Sequence, residues 1–291
     1  MVKFLTKLPE VFRERYLNTH EKYLSSIADV INYLYAGKSP EDSCSRMIDY
    51  LANAPKMEKR RDPLKETAYF RNLRNCWYHE CALSYPHDSL DERMRFAAWK
   101  IIQCYYAVFS SIASIMRCFY PRSRSHDAML NTFGREFLCH SRRKRYSLPP
   151  INFYLNQQGR FPTKFYDEVD WDYADSYHFP NIVKCLESAK EKNQVVTIPH
   201  YLKRLRDWVT YGDAYLFIRL YGDSPKRALD YSLQNIAFVF CVQSEFFLLR
   251  LFGWDAVNRQ FETFANEIEK NLGIRSEPLY ARFDVYSTIE N

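Results

Sequence analysis

The chain carries only 7 glycines in 291 residues. Average usage of ~7% would supply about 20. Gly-rich phosphate loops need glycine wherever the backbone turns sharply or comes close to a phosphate. Neither G-x-G-x-x-G nor G-x-x-x-x-G-K-[ST] occurs. β-Sandwiches and propellers would also call for more turn glycines. C-x-x-C is missing, although there are eight cysteines: Cys44, Cys76, Cys81, Cys104, Cys118, Cys139, Cys185 and Cys241. The opening MVKFLTKLPEVFRERY lacks the apolar stretch of a signal peptide. A membrane span needs about 20 apolar residues. The most apolar segment, Ile236 to Phe252, is shorter and holds Gln243, Ser244, Glu245 and Arg250. It reads as a buried core helix. These features together predict reduced thiols, a cytoplasmic location and no membrane.

What is abundant is bulk: 23 tyrosines, 21 phenylalanines and 47% hydrophobic residues. Few glycines beside many bulky apolar residues predict an all-α fold of long helices around a thick aromatic core. The net charge of +6 suits a surface that tolerates polyanions.

Along the chain, Val11 to Tyr35 has apolar residues at helical spacing, and Gly37 to Pro40 stops it. A second helix is expected to start near Ser39-Pro40-Glu41-Asp42. KMEKRRDP, residues 56–63, is a charged linker, and a further helix covers Lys65 to Leu83. Residues 89–119 give the strongest pattern. Ser89-x-x-Glu92 suits a capping box, and Ile101, Ile102, Tyr105, Tyr106, Phe109, Ile112, Ala113, Met116 and Phe119 form one wide apolar stripe. Pro121 ends it, and a shorter helix runs from Ser125 to about Cys139. Residues 141–180 break the pattern and read as a long irregular loop. Helices resume at Asn181–Glu191, Pro199–Phe217, Pro225–Phe252 and Trp254–Leu272, with Gly273 placed to terminate the last.

Arg95–Tyr120 followed by Ser125–Leu138 resembles the HEPN family of helical domains (higher eukaryotes and prokaryotes nucleotide-binding). Tyr105, Tyr106, Ala107, Phe109, His126, Phe133 and Phe137 match its aromatic helix, turn and second helix, with Ser110-Ser111 where many members have His-Ala. Downstream, Leu205-Arg206-Asp207-Trp208-Val209-Thr210-Tyr211-Gly212-Asp213 is similar to the form of the family's second signature that lacks a histidine. Arg206 matches the motif arginine. Tyr211 stands at the histidine position of the ribonuclease form, and Asp213 stands at its tyrosine position. The two matches are separated by roughly 60 residues, long for a loop in a compact domain.

The resemblance implies a HEPN-like bundle over 91–272; the insertion at 141–198, the helical N-terminal region over 1–90 and a C-terminal tail over 273–291 lie outside the resemblance and are read from the sequence pattern. It also implies RNA or nucleotide binding within a toxin–antitoxin or antiviral defence system. The expected partners are an antitoxin or defence-complex protein and a second copy of the chain in a homodimer. Family ribonucleases cleave RNA without metal, using the motif arginine and histidine. Arginine stabilises the developing phosphate charge, and the imidazole moves protons. Tyrosine, with a reference pKa of about 10, is a poor base at neutral pH. The resemblance therefore predicts binding with a degenerate ribonuclease motif at Arg206, Tyr211 and Asp213, and no cofactor. The plainer alternative pairs Arg206 with a nearby acid such as Asp213.

Other residues admit other readings. Arg74 and His79 have the Arg-x4-His spacing and offer a displaced catalytic pair, as do Arg135 and His140. A separation of five turns two helical residues about 140° apart, so such a pair only flanks a groove. Arg122, Arg124 and His126 lie before or at a helix start, where anions are favoured. Arg142, Arg143, Lys144 and Arg145 precede Tyr146, Phe153 and Tyr154, a mixture of charge and rings that suits single-stranded nucleic acid. The plainer reading is a solvated loop, or docking onto the acidic Asp167, Glu168, Asp170, Asp172 and Asp175. Those acids also admit a divalent cation, but fit no loop template. Cys76, His79 and Cys81 fit no zinc spacing and read as core. A third class of function remains open: a non-catalytic adaptor that oligomerises through its aromatic faces.

Overall fold

The computed structural model describes residues 42, 44, 45, 66–84, 90–119, 125–133, 198–211, 228–273 and 277–290. The fold is all-α, with no strand among the described residues. Seven helices are delimited there: α1 (Glu66–Ser84), α2 (Leu90–Phe119), α3 (His126–Phe133), α4 (Ile198–Tyr211), α5 (Ala228–Phe252), α6 (Trp254–Leu272) and α7 (Glu277–Glu290). The periodic segments of the sequence match α1, α2, α5 and α6 closely. The helices expected at 11–35 and 181–191, the capping box at Ser89, the linker at 56–63 and the loop at 141–180 lie outside the described residues.

α2 is the central helix and packs against α1, α3, α4 and α5. Its stripe is so wide that between Lys100 and Met116 only Ile102, Tyr106 and Phe109 are not fully buried. A helix apolar nearly all round is stable only with neighbours on most sides. α2 and α5 are also long and apolar enough to cross a membrane by length and composition. In each, 72% of the qualifying window is buried inside the bundle. The buried Lys100 bonds Asp230 at 2.6 Å and ties α2 to α5.

One core takes in residues from both sides of position 90. Tyr69, Phe70, Leu73 and Trp77 of α1 share it with Ile101, Val108 and Ile112 of α2 and with Ile236, Phe240 and Leu248 of α5. α1 is therefore part of the bundle, and the boundary drawn at 90 runs through a shared core.

The stretch expected as a tail after Gly273 is also corrected: it holds α7. Leu279, Phe283 and Tyr286 fall at i, i+4 and i+7 and are buried, the face of a packed helix. Phe283 stacks on Phe261 of α6, centroids 3.9 Å apart. Gly273 terminates α6 in the left-handed region (φ 64°), and its N–H bonds the Glu269 carbonyl at 3.0 Å. Gly253 has φ 83° and ψ 169°, a region close to glycine-only, and lets α6 leave α5 after a single residue.

A charged cluster lies inside this apolar frame. Arg282 of α7 is 0% exposed. It bonds Glu80 of α1 through Nη1 (2.9 Å) and Nη2 (2.7 Å), and Glu245 of α5 through Nε (2.9 Å) and Nη2 (2.8 Å). Trp77 Nε1 (2.8 Å) and the Tyr286 hydroxyl (2.7 Å) also donate to Glu245. Burial pushes the Glu80 carboxyl up, and Arg282 pulls it back. Burial alone would lower the Arg282 pKa, but Glu245 and Glu80 outweigh it and hold it well above the ordinary value. Three helices are thus pinned by one guanidinium. Removing one partner of a buried ion pair costs about 3–5 kcal/mol, because the other charge is left unpaired. Arg282→Met is expected to lose stability on that scale in urea unfolding. A loss within error of zero would show that the cluster does not hold α1, α5 and α7 together.

Candidate functional site

The candidate site is built on two consecutive tyrosines of α2. Tyr105 is fully buried and Tyr106 partly so. The Arg206 guanidinium, from α4, sits 4.9 Å from the Tyr105 ring centroid and 5.7 Å from that of Tyr106. Both are cation–π distances. Arg206 is 9% exposed, and its Nη1 pairs with Asp207 Oδ1 at 2.9 Å. The acid beside Arg206 in the structure is therefore its sequence neighbour, whereas Asp213 lies outside the described residues. Arg206 Nε is buried and has no acceptor among the described residues.

The Tyr105 hydroxyl lies 2.8 Å from His126 Nδ1. The Arg206 guanidinium over the ring of the same tyrosine places a positive charge near His126. The His126 ring stacks on Phe109 at 3.8 Å between centroids. Burial, then the charges of Arg206 and Lys203, holds His126 below the usual histidine value, against the opposite pull of Asp127 and Asp207. Burial pushes Tyr105 up to about 12, against the pull of Arg206, so it stays a neutral hydroxyl.

His126 is the first residue of α3. Ser125 caps that helix, its Oγ accepting the Ala128 N–H at 3.1 Å. The positive end of α3 thus faces α4, which supplies further basic groups. Lys203 Nζ bridges Asp127 (2.9 Å) and Asp207 (3.5 Å), and His200 Nε2 donates to Asn131 Oδ1 (2.8 Å). Lys203 holds the exposed Asp127 carboxyl below its ordinary value. Arg206, Lys203, His200 and His126 thus gather around Asp127 and Asp207.

His79 of α1 meets the same tyrosines from another element. Its ring stacks on Tyr106, centroids 5.4 Å apart, and its Nδ1 lies 2.7 Å from Gln103 Oε1. A carbonyl oxygen only accepts, so Nδ1 donates and Nε2 keeps its lone pair. Burial lowers the His79 pKa, partly opposed by the Gln103 bond. The Arg74 charge acts on Tyr78, whose hydroxyl donates to Glu267 of α6 at 3.0 Å. Arg74 and His79 are five residues apart on α1, about 140° around the helix.

Of the residues singled out in the sequence, Arg206, His126 and His79 converge on Tyr105 and Tyr106. Tyr211 is the last residue of α4, and its side chain is outside the description. Arg122, Arg124, Arg135, His140 and Arg142, Arg143, Lys144 and Arg145 also lie outside the described residues, as do the acids at 167–175. Cys76 and His79 face different partners, Cys241 and Gln103, and no group of three metal-ligating side chains occurs among the described residues. Sequence reading missed Lys203, His200, Asp207 and Gln103. The signal for the first three was the run His200-x-x-Lys203-x-x-Arg206-Asp207, which repeats at helical spacing.

His126 is expected to titrate below 6.5, the model-peptide value, in a histidine NMR titration. Arg206→Gln should raise it by removing a nearby positive charge. An unchanged His126 pKa in that variant would contradict the placement of the Arg206 charge beside His126. Comparison of the chain with family models, with curated proteins and with solved structures found no match.

Proposed function

We propose that this is a HEPN-like helical protein that binds the phosphate groups of RNA or a nucleotide at the junction of α3 and α4. The observation that carries this is Arg206: a nearly buried guanidinium, held over the rings of two tyrosines, with an Nε–H lacking an acceptor among the described residues. Burying such a donor unpaired costs about 1–3 kcal/mol or more, and an anion would relieve it. The helix start at His126 and the Lys203 ammonium favour the same anion. A phosphate would compete with the exposed Asp127 for Lys203. The sequence resemblance supports RNA or nucleotide as the anion, a cytoplasmic toxin–antitoxin or antiviral defence role, and a homodimer.

Binding is best measured with a short single-stranded RNA at fixed salt. Lys203→Met and Arg206→Ala should each weaken it roughly tenfold to a hundredfold, as expected for losing one charge-assisted bond. The slope of log affinity against log salt should fall by about one per removed contact. Affinity should rise as pH drops through the depressed His126 pKa, because protonation adds a positive charge, and should be flat above 6.5. A diester probe avoids titration of the ligand itself. Affinity insensitive to both variants would reject the site.

A second reading, metal-independent RNA cleavage, is favoured by one observation: His79 keeps a free Nε2 lone pair on the Tyr106 platform that Arg206 also occupies. In that reading His79 takes the 2′-hydroxyl proton and Arg206 stabilises the phosphate. Cleavage in EDTA should then be lost in His79→Ala and retained in Arg74→Ala. No cleavage by the wild-type protein would leave the binding function alone.

A further inference from the structure

Cys76 of α1 and Cys241 of α5 face each other in the sealed core, their Sγ atoms 2.7 Å apart and both residues 0% exposed. A disulfide bond is about 2.05 Å long, so closing the gap asks for a sulfur displacement of under ~1 Å. The two helices already pack against each other, so the pair lies at an existing helix contact. The two sulfurs share a hydrogen bond in which either can donate. Ser111 lies beside both, its Oγ 2.9 Å from Cys76 Sγ and 3.8 Å from Cys241 Sγ, and it also donates to the Ala107 carbonyl at 2.9 Å. Cys104 and Cys118 differ, giving their thiols to the carbonyls of Leu233 and Ser114.

We propose that Cys76 and Cys241 form an oxidation site that closes to a disulfide in the folded protein, with hydrogen peroxide as the oxidant. One thiol reduces the O–O bond of hydrogen peroxide, giving a sulfenic acid and one water. The second sulfur displaces the sulfenic oxygen. The S–S bond forms, and that oxygen leaves as water with the remaining thiol hydrogen. Two thiols and one hydrogen peroxide thus give one disulfide and two waters. Burial sets the selectivity. Only an oxidant near the size of water reaches the pair, and burial keeps the Cys241 thiol protonated, so the reaction is slow and bulky thiol reagents do not compete. The bond would fasten α1 to α5 and close a long loop, which stabilises the folded chain by restricting the unfolded one.

The test is peptide mapping and intact mass of the full-length reduced protein after hydrogen peroxide treatment. The expected result is a peptide pair joined through Cys76 and Cys241, a mass lower by two hydrogens, and a higher Tm than the reduced protein. Cys76→Ala should show neither the joined pair nor the rise in Tm, while Ser111→Ala keeps both thiols and should still form the bond. Two outcomes overturn the proposal: no joined peptide at an exposure that converts methionine to sulfoxide in the same sample, or joining that involves Cys139 or Cys185 instead. The wild-type measurement decides even if Cys76→Ala fails to fold.

Discussion

The guanidinium of Arg282 is the constraint on which the rest of the bundle depends. Its hydrogen bonds reach Glu80 and Glu245, on two helices far apart in sequence, and it is supplied by a third. Apolar packing alone is non-directional and tolerates a helix that slides or rotates. A buried carboxylate does not, because rotation would break its hydrogen bonds without water to replace them. The cluster therefore fixes the rotation of α1 about its own axis. That rotation decides which neighbours the next residues meet: Trp77 meets Glu245, Cys76 meets Cys241, and His79 meets Gln103 and Tyr106.

The second organising element is α2. Its long stripe packs against α1, α3, α4 and α5. Tyr105 and Tyr106 stand where these sets of neighbours meet. They turn a packing helix into a polar platform, because each ring offers a face to the Arg206 cation, and the Tyr105 hydroxyl meets His126. Core and site are thus one structure: a change in how α2 is buried would also move the arginine.

Much of the fold was legible in the sequence. α6 was readable to the residue because Gly273 marks its end, and α1 and α2 to within one residue because their apolar spacing is regular. α7 was not recognised. Its buried face contains Arg282, and a charged residue in a short terminal segment reads as solvated unless its partners are known. Glu245 was visible as a carboxylate inside the most apolar run, which marks a buried partner without naming it. The site was half legible. Arg206 and His126 stood out through a family resemblance, and His79 through its spacing. Their meeting on Tyr105 and Tyr106 depends on three separate helix contacts and could not be read from any local pattern. Lys203, Asp207 and His200 were hidden for a different reason: charges at helical spacing are most often an exposed face.

In the proposed function Arg206 keeps its Nε–H for an incoming phosphate. Arginine side-chain 15N NMR observes that group directly. On adding a ribodinucleotide, the Arg206 Nε–H signal should move to the position of a charge-assisted hydrogen bond and exchange more slowly with water, while the Arg282 Nε–H signal stays in place. An Arg206 signal unmoved at saturating dinucleotide, or Arg206 and Arg282 signals shifting alike, would contradict the account.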